Sequence, residues 1–388
     1  MPPPDMPEHG TNHMPLYLDD DQTALQDTIR DFVAENAPVG HMRALRDAND
    51  STGFSRDLWK SFAEMGFTGI LIGEAHGGLG MGHVEAGVVL EEIGRNLSPS
   101  PFLSTAVAAV AALQGTPHAD RWFPGIVAGD TVAALAIDDG PKHRNGVAMT
   151  ATRSGNGFTL KGSKQFVTHG HVADLLIVAA RTAGDVDDTD GVTLFAVERD
   201  AAGLTPSPER LADASLATRL DFDGVTVAAD AVIGEVDAGR VPLDRLLRAG
   251  RTGAAAELVG VGAGAMDRTV AYLKERKQFG VRIGSFQALQ HRAAHLYSEM
   301  EVARAAVLKA QQLLDIGSVQ ADAAVSVAKA MTTMATTLSV QEGIQMHGGI
   351  GMTDEYDIGF YMKRGRVLAE MFGDANFHAD RVALAAGY

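Results

Sequence analysis

The chain has 388 residues, 46% of them hydrophobic and 21% charged, with a formal net charge of −16 and no cysteine. That length suits two or three packed domains, and the acidic balance argues against nucleic acid, whose phosphates want a basic face. Zero cysteines exclude disulfides, thiolate catalysis and thiolate metal sites, and no apolar run approaches a membrane span, so a cytoplasmic protein is expected.

In chain order, residues 1–15 are rich in Pro and His and read as a disordered lead-in. An N-terminal helical domain is expected over 16–129. Leu25, Ile29, Phe32 and Val33 form a helical stripe opened by Asp19-Asp20-Asp21, and Trp59, Phe62, Met65 and Phe67 follow as a second apolar cluster. Gly77-Gly78-Leu79-Gly80-Met81-Gly82 interrupts with a loop, and a helical pattern resumes from Val84 to Gly94 with the acidic pair Glu91-Glu92.

Over 130–235 the period becomes that of strands. Thr131–Ala136, Phe158–Leu160, Leu175–Ala179 and Val192–Val197 are short β-favouring runs, and Asn156-Gly157 is a hairpin signal. No long helical pattern intervenes, so a middle antiparallel β domain is predicted. Over 236–388 the pattern is helical again, with runs near 252–277, 286–315, 319–344 and 354–371 long enough for a C-terminal four-helix bundle. Ala254, Ala255, Ala256, Gly260, Gly262 and Gly264 give these helices small faces, through which the bundle is expected to tetramerise.

Three blocks carry chemistry. The first is Arg276-Lys277-Gln278-Phe279-Gly280, continued by Phe286-Gln287 and Gln290-His291. Arg276 falls at the end of a predicted helix that Phe279-Gly280 closes. There its guanidinium either caps helix carbonyls or pairs bidentately with a pyrophosphate. The second block is Gln345-Met346-His347-Gly348-Gly349-Ile350-Gly351, a loop whose missing side chains let backbone amides approach phosphates. The third is Gly162-Ser163-Lys164-Gln165-Phe166-Val167-Thr168-His169-Gly170, which alone reads equally well as an ordinary strand. No His pair has metal-ligand spacing together with a carboxylate, so no metal site is expected.

Together these blocks resemble the flavin-binding hallmarks of the acyl-CoA dehydrogenase family, over nearly the whole chain from Leu18 to Arg381. The resemblance implies FAD as cofactor, with Arg276, Gln278, Phe279 and Gln287 on the pyrophosphate and adenosine part of a flavin held mainly by a neighbouring subunit. Gln345, Gly348 and Gly349 would pack on that adenosine region, with His291 and His347 ordering the loops. Phe166 would stack on the isoalloxazine and Thr168 offer a hydroxyl near N5. The implied reaction is α,β-desaturation of an acyl-CoA thioester, in fatty acid or steroid side-chain β-oxidation, with electrons passed to an electron-transferring flavoprotein.

The chain departs from the family where the catalytic Glu belongs. One family position falls here on Phe372 and the other, counted back from Gly280, on Gly250; neither carries a carboxylate. Glu257, Asp374 and Glu370 are the nearby acids. Glu257 is expected to pair with an Arg, of this or a neighbouring subunit, Asp374 to replace a flavin-contacting residue, and Glu370 to lie on a solvated helix end. The stretch Leu135-Ala136-Ile137-Asp138-Asp139-Gly140-Pro141 stands where the family has a Thr-Glu-Pro segment, so a flavin-contacting hydroxyl is missing. Bacterial members of the family include α2β2 heterotetramers in which one subunit lacks the catalytic Glu, and this chain resembles that subunit. A homotetramer with an unfamiliar base remains open. So do a flavin monooxygenase or desulfinase, and a non-catalytic structural homologue, on the same scaffold.

Overall fold

The computed structural model describes residues 14–388; apart from Met14 and Pro15, the lead-in expected over 1–15 lies outside them. Helix α1 (Asp20–Asn36) starts where the acidic run predicts. Asp19 accepts from the Gln22 amide at 2.8 Å while the Gln22 side chain takes the Asp19 amide at 3.1 Å, a reciprocal cap. Its stripe buries Ile29 and Val33 in one core with α3 (Arg56–Glu64), where Phe32, Phe62 and Phe67 meet edge to face, while α2 (Val39–Asp47) turns Val39 and Met42 into a second core. Helix α4 (His83–Arg95) follows the glycine loop. A π-helical turn (Leu103–Ala109) then runs into α5 (Val110–Leu113), and α6 (His118–Val127) closes the region. The pair Glu91-Glu92 is not on a solvated face. Glu91 accepts from Arg304 at 2.8 Å and Glu92 from Arg30 at 3.1 Å, so two inward carboxylates are neutralised by neighbouring helices.

The middle region is an eight-stranded sheet. Its strands are β1 (Ala133–Ala136), β2 (Thr150–Ser154), β3 (Gly157–Thr168), β4 (Leu175–Arg181), β5 (Val192–Glu198), β6 (Leu204–Arg210), β7 (Leu216–Ala228) and β8 (Val232–Ile233). The order is β6-β7-β3-β2-β4-β5-β8, with β1 added beside β4. Its main ladders are antiparallel, as predicted; β1 joins β4 in parallel, and β2 touches β4 in parallel at one residue pair. The hairpin signal lands one residue late, because Gly155 and Asn156 form the two-residue turn and Gly157 already pairs with Ser154.

The C-terminal region packs α7 (Arg240–Glu275), α8 (Gln287–Asp315), α9 (Ala321–His347) and α10 (Ile358–Glu370), with a further short helix α11 (Ala375–Ala385). Two expectations are corrected here. Phe279-Gly280 does not end α7: the helix stops at Glu275, and the two residues form the tip of a tight hairpin between β9 (Lys277–Gln278) and β10 (Val281–Arg282). Both have positive φ, 53° and 80°, as a two-residue turn matched to strand twist requires. The small-residue face is also used within the chain rather than between subunits. A Cβ on Gly260 would lie 1.9 Å from the Glu91 carbonyl oxygen of α4, and one on Gly264 2.5 Å from that of Arg95. Helices α4 and α7 thus touch backbone to backbone, while Gly262 receives Met300 of α8.

Candidate functional site: a sheet–helix cleft

A cleft of about 1200 Å³, counting its open mouth, lies between the sheet and the turn after α10. Its sheet wall is made by Leu135, Ile137, Asp138, Phe166 and Thr168, and its helical wall by Val367, Glu370, Met371 and Phe372. Phe166 is presented by a bulge. Lys164 pairs with Leu220 and Val167 with Thr218, so Gln165 and Phe166 together oppose Arg219 alone. The extra residue puts Phe166 at φ 54° and leaves its ring half exposed. Left-handed backbone at a bulky residue costs on the order of 1–3 kcal/mol and persists where packing over-determines it, characteristically at functional sites. Thr168, at the strand end, lines the same cleft with a hydroxyl that has no protein partner among the described residues.

On the helical wall, Phe372 and Gly250 face one another. Phe372 is also left-handed, at φ 58°, and buried. A Cβ on Gly250 would lie 2.9 Å from its Cζ and about 3 Å from both Cε atoms. One ring therefore fills both positions at which the sequence resemblance expects a carboxylate. The nearby acids are engaged. Glu257, buried in α7, accepts from an Arg as expected, and that Arg is Arg364 of the same chain, at 2.9 and 2.5 Å; Asp213 takes the third contact at 2.9 Å. Asp374 caps α11 by accepting from the Phe377 amide at 2.9 Å and lies 3.2 Å from Lys142, and these contacts hold it below the usual carboxylate range. Glu370 is not simply solvated: it pairs with Lys142 across the cleft mouth.

Beneath the Phe372 turn lies a buried cationic group. Arg251 donates to the Phe372 carbonyl at 3.2 Å, and burial, with the nearby Arg381 charge, pushes its pKa down to about 9. Lys329 donates to the carbonyls of Ala369 and Gly373 at 3.0 and 3.1 Å; its burial lowers it to about 7. His378 is held neutral, its pKa about 2, by burial and by the charges of Arg251 and Lys329. Arg251 also reaches His143 Nε2 at 3.1 Å, and His143 Nδ1 lies 2.7 Å from Asp138 Oδ1. A guanidinium only donates, so Nε2 accepts and Nδ1 carries the proton given to Asp138. This Asp138–His143–Arg251 chain was not singled out from sequence. Its signal was present, a carboxylate in place of a hydroxyl-bearing residue with a His five positions on.

The remaining predicted residues gather elsewhere. Arg276, Gln278, Phe279, Gln287, Gln345, Gly348 and Gly349 are all exposed at the far end of the bundle. A small core of Leu273, Ile283, Leu296 and Met346 brings their two segments together, as does His347 stacked 4.5 Å from Tyr272. The Phe279 ring is 89% exposed, and no side-chain hydrogen bond or ion pair of Arg276 is found among the described residues. His291 is exposed, while His347 is buried with Nδ1 2.6 Å from the Gly343 carbonyl. Among the described residues, no group of three or more His, Asp or Glu is placed to hold a metal, and no helix is long and apolar enough to cross a membrane.

Helical, sheet and helical regions in this order, with a cleft where the sheet meets the second helical region, define the class. The acyl-CoA dehydrogenase N-terminal, middle and C-terminal domain models match residues 19–130, 138–225 and 239–387, and the chain belongs to the acyl-CoA dehydrogenase family. It is 31% identical over 357 residues to acyl-CoA dehydrogenase FadE12 of Mycobacterium tuberculosis, covering 90% of this chain and 91% of that protein. A solved variant of the Tcur3481-Tcur3483 steroid ACAD has a TM-score of 0.85 at 31% identity, over 95% of this chain and 98% of its own. The ChsE4-ChsE5 complex of Mycobacterium tuberculosis shares the fold, with a TM-score of 0.87 at 24% identity, over 97% and 100% of the two chains. Members of the family are FAD-binding flavoproteins. The residues present fit such a group: the exposed Phe166 face and the unpartnered Thr168 hydroxyl suit a flavin ring, and the Arg276 guanidinium suits a pyrophosphate.

Proposed function

We propose that this chain is a component of an FAD-dependent acyl-CoA dehydrogenase that desaturates an acyl-CoA thioester between its α and β carbons. Within that enzyme it is the subunit without the usual catalytic Glu, working beside a second family member that supplies one. The observation that carries this reading is the Phe372 ring seated on Gly250, which leaves neither family position able to accept a proton. General-base removal of an α proton needs a carboxylate within hydrogen-bond reach, and Glu257 and Asp374 are both committed to cationic or backbone partners.

In the loaded enzyme the flavin supplies the hydride acceptor. Phe166 gives the ring a flat apolar support, Thr168 offers it a hydroxyl, and Phe372 keeps water from the helical side of the cleft. At the other end of α7, Arg276, Gln278, Phe279 and Gln287, with the loop from Gln345 through Gly348 and Gly349, hold the pyrophosphate and adenosine of a flavin whose ring lies in another subunit. Gly250 and Glu275 are separated by roughly 40 Å at the helical rise of about 1.5 Å per residue, farther than one dinucleotide reaches. The ChsE4-ChsE5 complex, in which one chain shares this fold, offers a precedent for two differently named chains in one complex. Electrons leave to an electron-transferring flavoprotein. Nothing in the cleft favours the monooxygenase, desulfinase or non-catalytic readings.

The test is composition. Co-expression with a family member that carries the Glu is expected to yield a flavin-loaded hetero-oligomer, and this chain alone to hold flavin at well below one per subunit. A homotetramer with one flavin per chain that desaturates an acyl-CoA contradicts the partner reading.

A further inference from the structure

The sheet wall of the cleft carries a carboxylate whose placement is over-determined. Lys164, fully buried, donates to the Ile137 carbonyl at 3.1 Å and pairs with Asp139 at 2.8 Å. Asp139 in turn accepts from the amides of Ala148 and Met149 at 2.9 and 3.3 Å. The Gln165 amide donates to the Asp138 carbonyl at 2.8 Å, which ties Asp138 to the residue preceding Phe166. One carboxylate oxygen of Asp138 is satisfied by His143, itself backed by Arg251. No hydrogen bond reaches the other oxygen among the described residues, and the side chain, about one-fifth exposed, lines the cleft beside Phe166 and Thr168. A carboxylate held this rigidly, with one free acceptor at the edge of an aromatic support, is arranged to meet a donor on a planar ligand.

We propose that Asp138 is a flavin-facing acceptor. Its free oxygen takes an N–H of the flavin ring, and its fixed negative charge opposes the charge the ring gains on reduction, holding the reduction potential down. His143 and Arg251 act through it as positioning residues, keeping the carboxylate in one rotamer with the second oxygen turned to the cleft. Lys142 at the mouth pairs with Glu370 and Asp374, and the nearby buried cation, Lys164, pairs with Asp139, so the second Asp138 oxygen has no direct cationic partner among the described residues. This inference rests on the reading that a flavin ring occupies this chain's own cleft.

The experiment is spectroelectrochemical titration of the flavin-loaded protein in its assembled form, comparing wild type, Asp138→Asn and the exposed control Asp230→Asn. Asp138→Asn is expected to favour the reduced flavin at least tenfold, an upward shift of about 30 mV for a two-electron couple, and to displace the visible absorption bands. Asp230→Asn is expected to change neither. If Asp138→Asn does not fold, His143→Gln, which frees the carboxylate from its tie, is expected to shift the same bands. Unchanged potentials and spectra in a protein that retains flavin overturn the role of Asp138 and leave the proposed function standing. Absence of flavin from every preparation, with or without the partner, overturns both.

Discussion

Gly250 and Phe372 lie 122 positions apart, and sequence shows only that neither is acidic. Their contact makes them one feature, since the ring occupies the volume a side chain at 250 would need. Overpacking of this kind costs typically 1–3 kcal/mol, whereas replacing a mid-helix glycine by alanine is otherwise worth up to about 1 kcal/mol. Gly250→Ala is therefore expected to destabilise the chain in denaturant titrations. In a Phe372→Ala background the same change is expected to stabilise it. Equal effects in both backgrounds would sink the claim that one ring fills both sites. The Asp138–His143–Arg251 chain is legible only in part: a His five positions after an Asp shows in the loop after β1, whereas the hydrogen bond from Arg251 of α7 joins residues that no local pattern links.

Elements with strong periodicity were legible, and those whose local chemistry speaks against them were not. The N-terminus of α1 follows from its acidic cap, and β4 and β5 from their apolar runs. Strand β6, with two prolines and mostly exposed residues, shows no alternation and a single β-branched residue, Thr205, and edge position is what tolerates it. The β9–β10 hairpin was misread as a helix stop because an aromatic rarely occupies a left-handed turn position. That strain, at a ring exposed to solvent in the single chain, makes sense when Phe279 packs on something outside it. Phe279→Asn, which creates the favoured Asn-Gly turn, is expected to leave stability unchanged or raise it by up to about 1 kcal/mol. The same variant is expected to lose flavin from the assembled protein several-fold faster in dilution assays. Unaltered flavin retention would assign the ring no part in the shared site.

At the scale of the molecule, α7 separates the two halves of the proposed flavin site. Both were visible in sequence as motifs, but not their distance, since motif spacing along a chain carries no direction in space. A 36-residue helix fixes that direction, and it sends the Arg276 end away from the cleft that Phe166 and Thr168 line. The flavin site as proposed is complete only when subunits exchange ends. On the proposed reading, a chain without the base keeps the residues that serve a neighbour. The most direct test is anaerobic mixing of acyl-CoA with flavin-loaded protein while the flavin absorbance is followed. The chain reconstituted alone is expected to show no bleaching, and the complex with a Glu-bearing partner to bleach within its turnover time. Rapid, complete bleaching by this chain alone would contradict the account.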